Sequence, residues 1–294
     1  MTVPALFDRK LIRLRRERAL KRGMSDFLLR RAGEEIVERL EATRRSFAPV
    51  LTMGTAPGVL TEGLGAFGEG PHIEMAASQA LLPGGTELKL CAEEELLPFR
   101  DGSLGLIVSG LTLHFANDLP GALVQFRRAL KQDGLFLGAV LGGQTLFELR
   151  QAFIDAETEL EGGASPRVAP MADVRDYGAL LQRAGFALPV ADADLVTVTY
   201  ASPLGLIADL RGMGATNALL ARRKTFLRRA TLLRALEIYH ERFPVEGGRV
   251  KASFEIIYLT GWGPHESQQK PLRPGSAAAR LADALGVEEH RLKG

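Results

Sequence analysis

Between residues 25 and 45, apolar side chains recur at Phe27, Leu28, Ala32, Ile36, Val37 and Leu40, the spacing of one helix face. The pattern predicts an amphipathic helix that starts at a Ser25 or Asp26 cap. The period then changes. Short apolar runs at 50–53, 72–75, 87–91, 104–109 and 135–141 alternate with helical or glycine-rich stretches, the signature of a parallel sheet built from crossover connections. Between the last two runs, Leu119, Leu123, Phe126 and Leu130 share a face, and Asp118-Leu119-Pro120 opens that helix in the manner of a capped start. Downstream, the pattern predicts a helix over 145–160, a glycine- and proline-rich loop over 161–170, and a helix over 173–184 closed by Gly185. A strand over 195–200, a helical insertion over about 203–243 and a last strand over 254–260 follow. The expected division is an N-terminal helical segment (1–46), a main domain (47–270) and a loosely held tail (271–294).

Composition changes this picture little. With 294 residues, 46% hydrophobic and 24% charged, the chain is an ordinary globular protein rather than a disordered or fibrous one. Its single cysteine, Cys91, cannot form an internal bridge and reads as a small buried hydrophobe. No secretory leader or spanning apolar run is present, so a cytoplasmic protein is expected. A net charge of +2 gives no reason to expect nucleic acid. Two local runs are basic: 9–22 holds eight Lys/Arg against one acid, and 222–234 holds six with none. Both read as solvated helix faces, with peripheral contact to the inner membrane as the alternative.

Candidate chemistry gathers at the carboxyl ends of the predicted strands, the edge on which open parallel sheets bind ligands. Gly54-Thr55-Ala56-Pro57-Gly58 is a glycine-rich turn after the first strand, and Glu74, 20 residues beyond Gly54, is spaced to accept hydrogen bonds from a ribose. The third strand runs into Glu93-Glu94-Glu95-Leu96-Leu97-Pro98-Phe99, and the fourth ends at Ser109 with His114 just beyond it. His114 has the chemistry of a base near neutral pH. Gln144 and Glu148 follow the fifth strand, where a carboxylate would grip a guanidinium. Asp155, Glu157, Glu159 and Glu161 offer further complementary charge to an arginine-bearing partner. His114, Asp118 and His265 are the residue types of a two-histidine, one-carboxylate iron site, but three separated positions do not assemble one, and no metal site is expected.

On these residues the chain resembles the class I S-adenosylmethionine-dependent methyltransferases of the type 11 branch. Phe7-Asp8-Arg9, the span 93–185, Leu210-Arg211-Gly212-Met213-Gly214 and Gly261-Trp262 with His265-Glu266-Ser267-Gln268 are similar, more closely, to the mitochondrial complex I assembly factors of the arginine-hydroxylase type and their bacterial relatives. The motifs at 142–150 and 156–166 carry most of that likeness. The resemblance implies an α/β fold with a seven-stranded, mostly parallel, Rossmann-like methyltransferase sheet, an N-terminal helix and a helical insertion near the C-terminus. It also implies S-adenosylmethionine held by Gly54, Ala56, Gly58, Glu74, Glu93 and Ser109, substrate chemistry at His114 and Glu148, and substrate contacts from Gln144, Arg211 and His265. The implied activity is hydroxylation or methylation of an arginine in a complex I subunit. The alternatives are a non-catalytic assembly chaperone and a small-molecule or acyl-carrier-protein methyltransferase. The chain departs from the family's first motif at Thr52, Ala56 and Pro57: a methyl group at Ala56 faces the methionine part of the cofactor, and Pro57 lacks a backbone donor.

Overall fold

The computed structural model describes residues 5–65, 67, 70–82, 84 and 88–269. Strands β1 (Val50–Gly54), β2 (His72–Ala76), β3 (Leu88–Cys91), β4 (Leu104–Gly110), β5 (Leu130–Leu141), β6 (Ala187–Tyr200), β7 (Pro244–Val245) and β8 (Arg249–Trp262) make one sheet. Its order is β3-β2-β1-β4-β5-β8-β6, with the two-residue β7 beside β8. The strands from β1 to β5 run parallel, and β8 enters antiparallel between β5 and β6. The expected mostly parallel methyltransferase-type sheet is the observed one.

Helices cover both faces, which is why the central strands read as continuous apolar runs and not as alternating ones. All seven residues of β4 are buried. On one face the core joins α2 (Phe27–Thr43), α3 (Val59–Leu64), α5 (Phe147–Glu161), α7 (Pro203–Gly212) and α8 (Arg229–Arg242); on the other it joins α4 (Leu119–Ala129) and α6 (Val174–Ala184). The predicted stripe of α2 is buried at Leu28, Leu29, Ala32, Ile36 and Leu40. Asp118 caps α4 by accepting from Gly121 N at 2.9 Å. Asp26 precedes α2 without a side-chain cap bond and pairs with Arg30 instead.

Several boundaries differ from the sequence reading. Strands β5, β6 and β8 begin five to eight residues earlier than their apolar runs, at Leu130, Ala187 and Arg249. The insertion is not one helical block, because α7 and α8 flank an irregular stretch over 213–228. Cys91 is exposed, not buried, since β3 is an edge strand. The basic run 9–22 contains helix α1 (Arg9–Lys21), which is not a solvated face throughout: Ile12, Arg16 and Ala19 are buried. Residues through Pro264 form one compact unit that includes both N-terminal helices, and His265 onward forms a second. The tail expected beyond 270 lies outside the described residues. No described helix is long and apolar enough to cross a membrane.

Candidate functional site

The strand order reverses between β1 and β4, and Gly54 and Gly110 end these strands side by side in register. Such a switch point is where doubly wound sheets open a ligand crevice. Here the crevice is filled. A Cβ on Gly110 would lie 2.5 Å from Leu29 Cδ1 and 2.9 Å from Leu60 Cδ1, so the two glycines make room for leucines of α2 and α3. In the turn that follows, Ala56 is buried and Gly58 takes φ +76°. Glu74 closes this turn from beneath: Oε1 accepts from Gly58 N at 2.8 Å and Oε2 from Thr61 Oγ1 at 2.7 Å. Its carboxylate is buried and engaged, two residues before β2 ends in Ala76, and does not stand at the strand end as the spacing suggested. Ser109 is likewise fully buried, bonded to Thr112 Oγ1 at 3.0 Å.

Helix α1 crosses this edge. Asp8 caps it by accepting from Leu11 N, and Asp8 N donates to Ala218 O while Asn117 Oδ1 accepts from Leu6 N and Phe7 N. The Phe7-Asp8-Arg9 motif therefore ties the N-terminus to two loops at once. Arg9 bridges Glu93, at 2.5 Å, and Glu94. Burial alone pushes the Glu94 carboxyl up, but the Arg9 and Arg16 charges outweigh it and hold the group below its ordinary value. Glu93, expected beside an adenine, is thus occupied by an arginine of the same chain. Farther along α1, Glu17 accepts from Ser78 Oγ at 2.5 Å, and Arg16 lies inside, its guanidinium 5.5 Å from the Phe115 ring centre. Gly214, at φ +68°, lets the 213–228 stretch pass so close that a Cβ would lie 2.8 Å from Arg16 Cα.

His114 is buried on the 3-10 turn Leu113–Phe115, where its Nδ1 accepts from Leu141 N at 3.3 Å. Burial first, then the nearby Arg16 and Arg9 charges, lower its pKa to about 3. It is therefore a neutral imidazole whose Nδ1 accepts from Leu141 N and whose Nε2–H is left to donate, and it does not store a proton near neutral pH. It shares with Arg16, Thr55 and Leu111 a cavity of about 30 Å³, room for one or two waters.

A larger cavity of about 250 Å³ adjoins it, with Leu28, Phe115, Leu141, Met213 and Ala215 in both walls. Its other walls come from α5, α7 and the loops 162–173 and 213–228, and are mostly apolar. The first family-like motif lines this cavity with Thr145, Leu146 and Leu149, and the second anchors the loop that lines it at Arg167 and Val168. In the first, Thr145 Oγ1 donates to Glu255 O, and Glu148, fully buried, accepts from Ser253 N at 3.1 Å and Ser253 Oγ at 2.7 Å, locking α5 to β8. In the second, buried Glu157 accepts from Ser165 N at 2.6 Å and from Arg167 Nε at 2.8 Å, pinning the loop over the cavity.

These bonds correct the acidic expectations. Glu148 faces β8 and not the cavity, so it does not meet a substrate guanidinium. Asp155, Glu157, Glu159 and Glu161 are paired with Arg242, Arg167, Arg234 and Arg223. The same pairs neutralise part of the basic run 222–234, and Arg222 meets Asp8. Gln144 is exposed, with its backbone N–H on Glu255 Oε2. Arg211 lines the larger cavity. His265 lies in the second unit, where Nδ1 and Ser267 Oγ are 2.7 Å apart. Asp118 is the cap of α4 and is not grouped with His114 as a metal ligand set. The sequence reading missed Arg16 and Arg15, whose signal was available: Arg16 occupies the stripe position between Ile12 and Ala19, where an apolar residue is the rule.

The residues at the crevice do not fit S-adenosylmethionine in this conformation. Among the described residues, the cavity beside the glycine turn measures only about 30 Å³, too small for a nucleoside, Glu74 and Glu93 are engaged, and β2 ends in a methyl group.

The profile described as a methyltransferase domain of type 11 matches residues 51–138. Arginine-hydroxylase NDUFAF5, mitochondrial, of Homo sapiens is 38% identical over 95% of this chain and 83% of its own. Malonyl-[acyl-carrier protein] O-methyltransferase of Halorhodospira halophila is 32% identical over 90% of both chains. Among solved structures, the YcgJ protein from Bacillus subtilis shares the fold, with a TM-score of 0.54 at 15% identity over 80% of this chain and 99% of its own. Near whole-chain similarity on a methyltransferase fold places the protein in an enzyme family of S-adenosylmethionine-dependent ancestry: the chain belongs to the family of the NDUFAF5 arginine-hydroxylases.

Proposed function

We propose that the chain assists respiratory complex I assembly by hydroxylating an arginine on a protein subunit. The observation that carries this reading is the 38% identity to an arginine-hydroxylase along 95% of the chain, which takes in the cavity walls as well as the crevice. One geometric detail supports it. The carbonyls of Thr216 and Asn217, two residues of the cavity wall, already accept from a guanidinium, that of Arg15, at 2.8 and 2.5 Å. A substrate arginine that displaces Arg15 meets the same acceptor pair, with its methylene stem on apolar wall. Hydroxylation exchanges a C–H bond of the arginine for C–OH, a two-electron oxidation that takes one oxygen atom from dioxygen while an external two-electron donor reduces the other to water; the chain's own residues bind, orient and shield the arginine for that step. His114 and Arg211 are proposed to act in substrate contact, His114 through the N–H of its Nε2, since Nδ1 already accepts from Leu141 N.

Peptide mass spectrometry of complex I subunits from parent and deletion strains tests the proposal. The expected result is one arginine bearing an added oxygen in the parent, unmodified in the deletion and restored by complementation. The filled crevice favours a second reading, an assembly chaperone acting by contact alone. Assembly restored while every arginine stays unmodified would select that reading.

A further inference from the structure

Arg16 is buried as an apolar residue would be, at 5% exposure on the inner stripe of α1, and its Nη2 has no hydrogen-bond partner. The other inward arginines of this helix are satisfied, Arg9 by Glu93 and Glu94 and Arg15 by two carbonyls. Glu94 attracts Arg16 through space but forms its ion pair with Arg9. Burial lowers the Arg16 pKa to about 10, still cationic at neutral pH. A buried cation lacking a bonded anion is strongly unfavourable, and methionine or leucine would fill this place at no such cost. An orphaned buried group of this kind calls for an explanation.

Its surroundings supply one. Arg16 lines the smaller cavity with Thr55 and neutral His114, and that cavity shares walls with the larger apolar one. No carboxylate lines either cavity among the described residues. Among the described residues that line the cleft, Arg16 is the only buried cation with an unpartnered guanidinium nitrogen; it selects an anionic head, and its planar fork matches a carboxylate. Leu28, Leu141 and Met213 lead from that head to apolar space suited to a hydrocarbon tail. We infer that the two adjoining cavities bind a carboxylate carried on an apolar chain, with its head on Arg16 and its tail in the larger cavity. These are the cavities in which the proposed function seats a substrate arginine, so the inference competes with that placement and rests on the unpartnered, buried Arg16 guanidinium and the apolar walls beside it.

Titration calorimetry of the full chain with octanoate and decanoate, below their micellar range, tests it against octylamine and octanol. The expected result is saturable binding of both carboxylates, none of the amine, and at least tenfold weaker carboxylate binding in Arg16→Met. The same variant, free of ligand, should melt at a higher temperature than the parent, because it removes a buried unpaired charge. Ala215→Phe, at the junction of the cavities, should weaken decanoate more than butyrate. The inference is overturned by absent octanoate binding, by equal binding to Arg16→Met, or by a lowered melting temperature in that variant, which would make Arg16 a packing residue. Arg16-dependent binding of S-adenosylmethionine that displaces octanoate would also overturn it, by giving the cation to a cofactor.

Discussion

His114 is held neutral by burial and by two arginines, and this gives stability a pH dependence of known sign. Its folded pKa of about 3 lies below the unfolded value of 6.5, so between these values the unfolded chain binds the extra proton. The protein is therefore destabilised as pH falls below about 6.5, by roughly 1.4 kcal/mol per pH unit from this group. His114→Asn keeps an acceptor for Leu141 N and removes the titration. Urea unfolding at pH 7 and pH 5 should show a smaller loss in the variant than in the parent, and equal losses would refute the assignment. The same residue scale shows why site chemistry was only partly legible. Glu74, Glu148, Glu157 and Ser109 have the right types at suggestive positions, but the fold spends them on Gly58, Ser253, Ser165 and Thr112. A one-dimensional spacing reports which edge a residue approaches and is silent on which way its side chain turns.

Helix α6 begins with a reciprocal cap: Asp173 accepts from Arg175 N and Asp176 N at 2.8 and 2.9 Å, and Asp173 N donates to Asp176. Asp173→Ala should lower stability by about 1 kcal/mol in denaturant titration, with the m-value unchanged. Such caps are local, and α4 and α6 were accordingly legible in the sequence. The start of β6 was not. Pro189 interrupts its apolar pattern, which the edge position and the register shift between Ala187 and Val190 accommodate. Asp192 and Asp194 break the apolar pattern as well, but they lie on the α2-facing side of the strand and pair with Arg39 and Arg31. The onset of β8 is hidden in the same way by Arg249 and Lys251, which alternate with buried Val250 and Ala252. In the insertion, the close pass of Gly214 over Arg16 fixes an irregular path that no local periodicity encodes.

At the scale of the whole molecule, α1 acts as a strap over two strand ends and a loop, joined to the β3 loop through Arg9, to the β2 end through Glu17 and to the 216–217 loop through Arg15. The sheet and its order followed from the alternation of runs, whereas the strap depended on long-range pairings between residues some 60 to 200 positions apart, beyond any window of the sequence. Calorimetric titration with S-adenosylmethionine is expected to register no binding to the parent protein, since the strap and the leucines over Gly54 and Gly110 fill the crevice. Micromolar binding would show that α1 lifts. The placement of β8 has a separate consequence, for synthesis on the ribosome. Among the described residues, β6 has β8 as its only sheet neighbour, yet β8 begins at Arg249, well after β6 ends at Tyr200. At roughly 5–20 residues per second, the nascent chain carries an unpaired strand for several seconds with Val196, Val198 and Tyr200, which pack on the core in the finished fold, left uncovered, the interval in which a holding chaperone has most to protect.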